Sequence, residues 1–399
     1  MLRTDIAIVG GGLAGSTAAA MLGRAGIDTV LIDAHAVYPD DFRCEKLDAS
    51  QVRLLHKTGL AEPVLHATTQ DFELWIACFG RLIDRRENHQ HGIMYPALVN
   101  TMRAQIPPTV AFIPAKVTAI ATSSDRQKVT LSNGEEISAR LVVLANGLNV
   151  GLRHQLGMVR EERSPCHSIA IGFDLKPVGH PRFAFPALTY YPERATDQMA
   201  YLTLFPVGPE TMRANLMVYR DMRDPWLKQM RDAPRDTLFA ALPKLRKLMG
   251  DFEVSSFVKI RPTDLYVTSG YRQPGVVLIG DAFATACPAA GTGCNKVFTD
   301  VERLCNVHIP QWLVTPGMGE EKIAAFYDDP LKQASDRSSE KEAYFLRSIS
   351  TDLRLSWQLR RYYRVVRWLR DRVSRQRRGW FSARPLTKRE TPAASSVGS

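Results

Sequence analysis

Two glycine-rich stretches hold the residues whose types and spacing can do chemistry. The first is Gly10-x-Gly12-x-x-Gly15, with Leu13 and Ala14 inside it. This spacing suits a pyrophosphate. Gly10 permits a tight turn, Gly12 lets the backbone approach the phosphates, and Gly15 lets a helix pack closely on a strand. The free N–H groups at the start of that helix then face the negative charge. Asp33 ends the next apolar run, where a ribose hydroxyl is held. The second stretch is Gly280-Asp281-Ala282, followed by Pro288-Ala289-Ala290-Gly291-Thr292-Gly293-Cys294-Asn295 and then, at helical spacing, Asp300 and Leu304. The first motif does not by itself distinguish one dinucleotide from another.

These residues need particular elements to position them. Residues 5–9 (DIAIV) read as a buried parallel strand, 13–25 as a helix of small residues, and 28–33 (DTVLID) as a second buried strand. Together they form a β-α-β unit. A loop leads into a helix within 43–60, and 94–106 reads as a helix ended by Pro107-Pro108. Residues 116–121 and 128–131 read as paired strands, with Ser132-Asn133-Gly134-Glu135 as a turn between strands. Residues 141–145 (LVVLA) and 275–281 (GVVLIGD) are further buried strands, and 296–305 the helix after the second of these. Between them, 167–175, 183–191, 199–205 and 213–219 are β-rich and separated by Pro, Gly and Asp, the pattern of a mostly antiparallel sheet. Residues 224–249 read as mostly helical, as does the chain beyond 320.

The second glycine-rich stretch resembles the G-D-A-x(5)-P-x-x-G-x-G-x-N-x(4)-D segment of the para-hydroxybenzoate hydroxylase family, the single-component (group A) flavin monooxygenases. The resemblance implies non-covalent FAD. Asp281, after Gly280, would take the ribityl chain, and Gly293, Cys294 and Asn295 would face the flavin, with helix amides stabilising negative charge on the reduced ring. It further implies that Arg43 contacts the flavin and that the backbone of Val117 contacts adenine. Three positions depart from the family pattern. Asn146-Gly147 replaces Asp-Gly, Ala284 stands where His is common in G-D-A-A-H, and Tyr95 replaces an Arg. Loss of the charge at Asn146 leads us to expect slow or restricted direct reduction by NAD(P)H, the family's electron donor.

The expected fold is α/β, a discontinuous three-layer FAD-binding lobe of Rossmann-like type with a mostly antiparallel substrate sheet and a helical C-terminus. The expected divisions are 1–160 and 251–320 for the FAD lobe, 161–250 for the substrate sheet, 321–385 for a helical basic region and 386–399 for a disordered tail. The expected function is insertion of one oxygen from O2 into an aromatic or lipid-like organic substrate, by hydroxylation or epoxidation through a flavin hydroperoxide. The cofactor supplies the chemistry, and the protein orients substrate and excludes water. Phe183, Phe185, Tyr190, Tyr191, Tyr201 and Phe205 make the middle sheet either an aromatic substrate wall or an ordinary packed core. His167 or a tyrosine is a candidate general base, with nothing to select one. A geranylgeranyl-reductase-like oxidoreductase is an alternative on the same fold, and a non-catalytic, flavin-bound, membrane-associated partner is another. Flavin halogenases fit less well, for want of W-x-W-x-I-P.

Composition bounds the rest. The chain has 399 residues, 45% hydrophobic and 23% charged, an ordinary globular balance. No run reaches the roughly 20 apolar residues of a membrane-spanning helix, and Asp5 interrupts the first apolar run, so no export leader is expected. The six cysteines have no C-x-x-C spacing, which suggests reduced thiols and a cytoplasmic setting. His89 and His91 lack a third ligand at metal-site spacing, so no metal is expected. Of the formal charge of +11, nine units lie between Arg347 and Arg378, where eleven arginines face Asp352 and Asp371. Leu355, Leu359, Tyr362, Val366, Leu369 and Val373 share one helical face there, with Trp357 and Trp368 as interfacial residue types. Such a helix either docks on the body or lies on an anionic membrane surface at its inner face. No nucleic-acid module accompanies the charge.

Overall fold

The computed structural model describes residues 1–370 apart from 44, 72, 88–89, 209–210, 364–365 and 368–369. Cys44, His89, Trp368, Leu369, Val373 and the expected tail at 386–399 therefore lie outside the described residues.

The run Leu2–Val9 is a strand because its apolar side chains are buried on both faces: Ile6, Ala7 and Ile8 are wholly enclosed. It pairs in parallel with Thr29–Asp33 on one side and with Glu136–Leu144 on the other. The full sheet has seven strands. Ala111–Pro114 extends it beyond Thr29–Asp33. The free edge of Glu136–Leu144 is shared: its first half takes the hairpin Gln127–Leu131 with Val117–Ala121, and its last residues take Val276–Leu278 in parallel. Side chains from this hairpin, among them Ile120 and Val129, join the same core as the parallel strands. Each enclosed Leu, Ile or Val contributes roughly 1.5–3 kcal/mol. The return strand is shorter than expected, because Gly280–Ala282 turns into a 3-10 helix.

Leu13–Arg24 follows the first strand as a helix whose Ala18, Ala19 and Ala20 are fully buried. The turn before it depends on Gly10, at φ +105°. At Gly15 a Cβ would lie 1.9 Å from the Gly10 carbonyl oxygen, so only glycine lets this helix sit so close to its strand.

The second sheet has eight strands, all antiparallel except the pair Ala187–Tyr191 with Leu74–Cys78. Its spine is Val159–Pro177, which pairs with Lys259–Ser269, Met212–Val218 and Phe252–Val254. Met199–Pro206 continues from Met212–Val218 towards Ala187–Tyr191. Helices Pro225–Asp232 and Pro234–Ala241 cover one face with Leu227, Met230 and Leu238. The sheets divide the chain differently from the expected boundaries at 160 and 251. The hairpin Leu74–Cys78 with Arg81–Arg86, and the strands Phe252–Val254 and Lys259–Ser269, all belong to the second sheet.

The helix Pro330–Thr351 ties the lobes together. Asp329 caps it by accepting from the N–H groups of Leu331 and Lys332. Lys332 then donates to Asp300 at 2.9 Å, with both side chains only 1% exposed.

No described helix is long and apolar enough to cross a membrane. No disulfide joins the described cysteines, and no group of three metal-ligating side chains occurs among the described residues.

Candidate active site

The glycine turn closes on the first two strands: Gly10 N–H donates to the Ile32 carbonyl at 2.8 Å, and Gly11 N–H to Asp33 Oδ2 at 2.6 Å. The following helix has no side-chain cap at Gly12, so its first N–H groups remain available. A Cβ at Gly12 would meet only Tyr38, at 4.0 Å. Arg103, from the last turn of the helix Tyr95–Arg103, reaches into this turn. It donates to the Gly11 carbonyl at 2.6 Å and stands 3.4 Å from Asp33. The sequence reading missed Arg103; a basic residue in a helix's last turn is too common a signal to pick it out.

A charged cluster forms the middle of the site. Arg43 bridges Asp281 and Asp41, at 2.6 Å each, and Asp41 also accepts from Arg261 and from the Tyr38 hydroxyl. Burial pushes the Asp41 carboxyl up, but Arg43, Arg261 and Tyr38 outweigh it and hold it below its ordinary value. Burial, then Asp41, raises the Tyr38 hydroxyl to about 12. Tyr95, where the family pattern has Arg, lies beneath Arg43, whose guanidinium is 5.8 Å from the ring centre.

The second glycine-rich stretch is held from three sides. Gly280 N–H donates to Asp300 at 2.9 Å, and the Tyr266 hydroxyl donates to the Asp281 carbonyl at 2.6 Å. Gln51 donates to the Gly291 carbonyl at 2.8 Å, Thr292 meets Ser339 at 2.7 Å, and Tyr201 donates to the Ala289 carbonyl at 2.6 Å. The helix Gly293–Arg303 begins there without a side-chain cap.

One cavity of about 440 Å³ connects these features. Gly10, Gly12, Leu13, Ala14 and Asp33 line one end, Arg43 and Asp281 the middle, and Gly293 and Cys294 continue it. Four other expected residues do not line it. Gly15 and Gly280 lie within the backbone beneath, and Asn295 is turned onto the Ser50 hydroxyl at 2.9 Å. Val117 opens its strand three residues after Pro114, the register partner of Asp33, and pairs with Leu131. Asn146 lines the cavity beside the Gly10 turn; its amide nitrogen donates to the Asn149 carbonyl, and its buried Oδ1 has no hydrogen-bond partner.

The far end of the cavity lies on the second sheet. Phe42, Tyr201, Phe205 and Met217 give it an apolar wall, with Thr203 and Asn215 among them. The other expected aromatics serve the core: Phe183 stacks on Phe185 at 5.4 Å, Tyr190 accepts from Gly80 N–H, and Tyr191 packs on the Leu74–Phe205 cluster. His167 is fully buried between the Ser164 hydroxyl and the Ala343 carbonyl and does not line the cavity. Burial drives the Tyr201 hydroxyl well above its ordinary value, so it keeps its proton and acts as a donor.

A family model described as an FAD binding domain matches residues 3–308. The chain belongs to this FAD-binding family. Among its relatives, a 3-demethoxyubiquinol 3-hydroxylase of Escherichia coli strain K12 is 25% identical over 331 residues, covering 76% of this chain and 79% of the relative. A menaquinone reductase of Mycolicibacterium smegmatis is 26% identical over 316 residues, covering 73% of each. In fold, the chain resembles p-nitrophenol 4-monooxygenase PnpA from Pseudomonas putida DLL-E4, with a TM-score of 0.71, 14% identity and coverage of 90% and 92%. This member of the FAD-binding family is an FAD-dependent oxidoreductase. The residues present fit the cofactor. Two uncapped helix starts open on one continuous cavity, and the side-chain-free Gly12 stands at the first of them.

Proposed function

We propose that the chain hydroxylates an electron-rich aromatic ring held at the sheet end of the cavity, with NAD(P)H as the source of electrons. The observation that carries this is the continuity of one cavity from the glycine turn to the wall of Phe42, Tyr201 and Phe205. Bound FAD supplies electron transfer and oxygen activation. This chain's residues bind and orient. Gly12 and the helix start after it would receive the pyrophosphate, Asp33 and Arg103 would hold the ribose, and Asp281, steadied by Arg43, would take the ribityl hydroxyls. The N–H groups of Gly293 and Cys294 lie at the start of a helix, where they stabilise negative charge on the ring system. The apolar sheet wall keeps water from the reacting carbon. Oxygen uptake with NAD(P)H, measured with and without phenolic substrates, tests the reading; uptake that no aromatic compound stimulates defeats it.

The menaquinone reductase relative favours a second reading, in which a quinone-type lipid is reduced and not oxygenated. On that reading turnover would need no oxygen, and anaerobic flavin spectra separate the two.

The C-terminal segment supports a location on the inner face of an anionic membrane, in the cytoplasm. Leu355, Leu359 and Tyr362 are 71%, 60% and 65% exposed, so this face is not covered by the body. The surrounding arginines supply the charge such a surface attracts. Trp357, against Phe345 at 5.7 Å, joins the segment to the long helix.

A further inference from the structure

A polar group at the sheet end of the cavity lies outside both glycine-rich motifs. Asn215 lies in mid-strand, registered between Gly172 and Thr203. Strand alternation sends Arg213, Asn215 and Met217 to the cavity face, while Ala214, Leu216 and Val218 enter the core beneath. The Asn215 side chain is therefore fixed by the sheet and is 6% exposed. Its side-chain amide stabilises the charged form of Glu45, whose carboxylate Arg213 grips with two bonds of 2.7 and 2.9 Å. A carboxylate only accepts, so the amide nitrogen of Asn215 faces Glu45. The carbonyl oxygen Oδ1 is left buried without a hydrogen-bond partner. An acceptor in that state is costly unless a ligand satisfies it. Phe42 and Phe205 line the same cavity. Phe42 can approach because the neighbouring strand has Gly172, where a Cβ would lie 2.5 Å from that ring.

We infer that Asn215 Oδ1 accepts a hydrogen bond from the substrate, and that the substrate end entering this chamber therefore carries a donor, a phenolic hydroxyl or an aromatic amino group. The inference rests on the aromatic reading above and narrows it. A pure hydrocarbon would leave Oδ1 unpaired in a drier chamber than before, so a polyene is the wrong ligand for this site. Asn215 is a specificity-determining residue, separate from the groups that hold FAD.

The test titrates the FAD-loaded protein with para-propylphenol, β-naphthol, the methyl ether of each, and squalene, following the visible spectrum of the flavin. The two phenols are expected to bind roughly tenfold more tightly than their ethers. Asn215→Leu brings each phenol to the affinity of its ether and leaves the ethers unchanged, a pattern that mere support of Glu45 would not produce. Asn215→Asp keeps an acceptor but sets a second carboxylate against Glu45, so it is combined with Glu45→Gln, and the pair is expected to keep the preference. Equal affinities in the unaltered protein, a preference that survives Asn215→Leu, or squalene binding more tightly than both phenols overturns the inference. Should Asn215→Leu lose its FAD, the comparison in the unaltered protein decides alone. Because binding is read without turnover, failure of the oxygenase reading is seen separately, as missing substrate-stimulated oxygen uptake.

Discussion

At Gly12 a single added side chain separates folding from cofactor binding. A Cβ there touches nothing closer than Tyr38 at 4.0 Å, so Gly12→Val leaves the protein fold intact while filling the space through which phosphates approach. We expect a soluble, colourless variant with the secondary structure of the unaltered protein; a yellow Gly12→Val protein would remove the glycine turn from the cofactor site. Asp281→Ala differs, because Arg43 keeps Asp41 as partner and the cluster survives. Retention of FAD on gel filtration should fall, with affinity lower by roughly tenfold for one lost hydrogen bond. Asn146 carries a buried Oδ1 without a partner beside Gly10. Asn146→Asp places a charge where the family pattern has one, and stopped-flow bleaching by NADH or NADPH should accelerate. Rapid bleaching of the unaltered protein, with no change on substitution, would show that Asn146 does not limit reduction.

At the scale of elements, the long helix Pro330–Thr351 reaches the flavin motif through charge. Lys332 pairs with Asp300 and with Asp336 at 3.1 Å, and Lys296 lies 3.1 Å from Asp336. Burial lowers and the two carboxylates raise the Lys332 ammonium, with a net rise. Asp300 in turn receives the N–H of Gly280, directly before Asp281. Lys332→Met would leave Asp300 buried without its cation, which costs about 3–5 kcal/mol. Urea unfolding should show that loss, and FAD retention should fall with it because Gly280 loses its fixed acceptor. A second change, Asp300→Asn, should recover part of the stability, since the stranded charge is removed. Full stability in Lys332→Met alone would mean that this helix is not held through charge.

For the whole molecule, the question is what the C-terminal segment does for the body. Leu353, Leu355 and Leu359 are at least 60% exposed; among the described residues, Arg361 bonds back to the carbonyls of Ile349 and Asp352, and Arg354 to the Asp352 carboxylate. Removing the chain after Asp352 should leave FAD bound and shift the melting temperature little. The same truncation should abolish binding to anionic vesicles. In the full chain that binding should weaken as salt rises, since the Debye length falls to about 10 Å at 0.1 M, and neutral vesicles should bind poorly. A melting temperature several degrees lower on truncation, with no vesicle binding by the full chain, would show instead a segment needed for stability.

Local order alone determined much of this protein. The spacing of Gly10, Gly12 and Gly15, the apolar runs around them and the Gly280-to-Asp300 stretch each lie within one continuous segment, so their β-α-β geometry is written in neighbouring residues. The antiparallel strands from 167 to 219 were legible for the same reason, as alternation bounded by turn residues. What the sequence could not show depends on distant pairings. Leu74–Cys78 with Arg81–Arg86 joins the second sheet only by meeting Ala187–Tyr191, and its turn at Phe79-Gly80, both at positive φ, lacks the usual Asn or Asp signal. Arg103 reaches Gly11 across 92 residues, Arg43 reaches Asp281 across 238, and Glu45 reaches Arg213 across 168. Of six candidate aromatics, Tyr201 and Phe205 reach the cavity, because strand register sets which face each side chain takes. Asn215 and its partnerless oxygen belong to the same class. Burial and a missing partner are properties of the packed sheet, and no spacing along the chain encodes them.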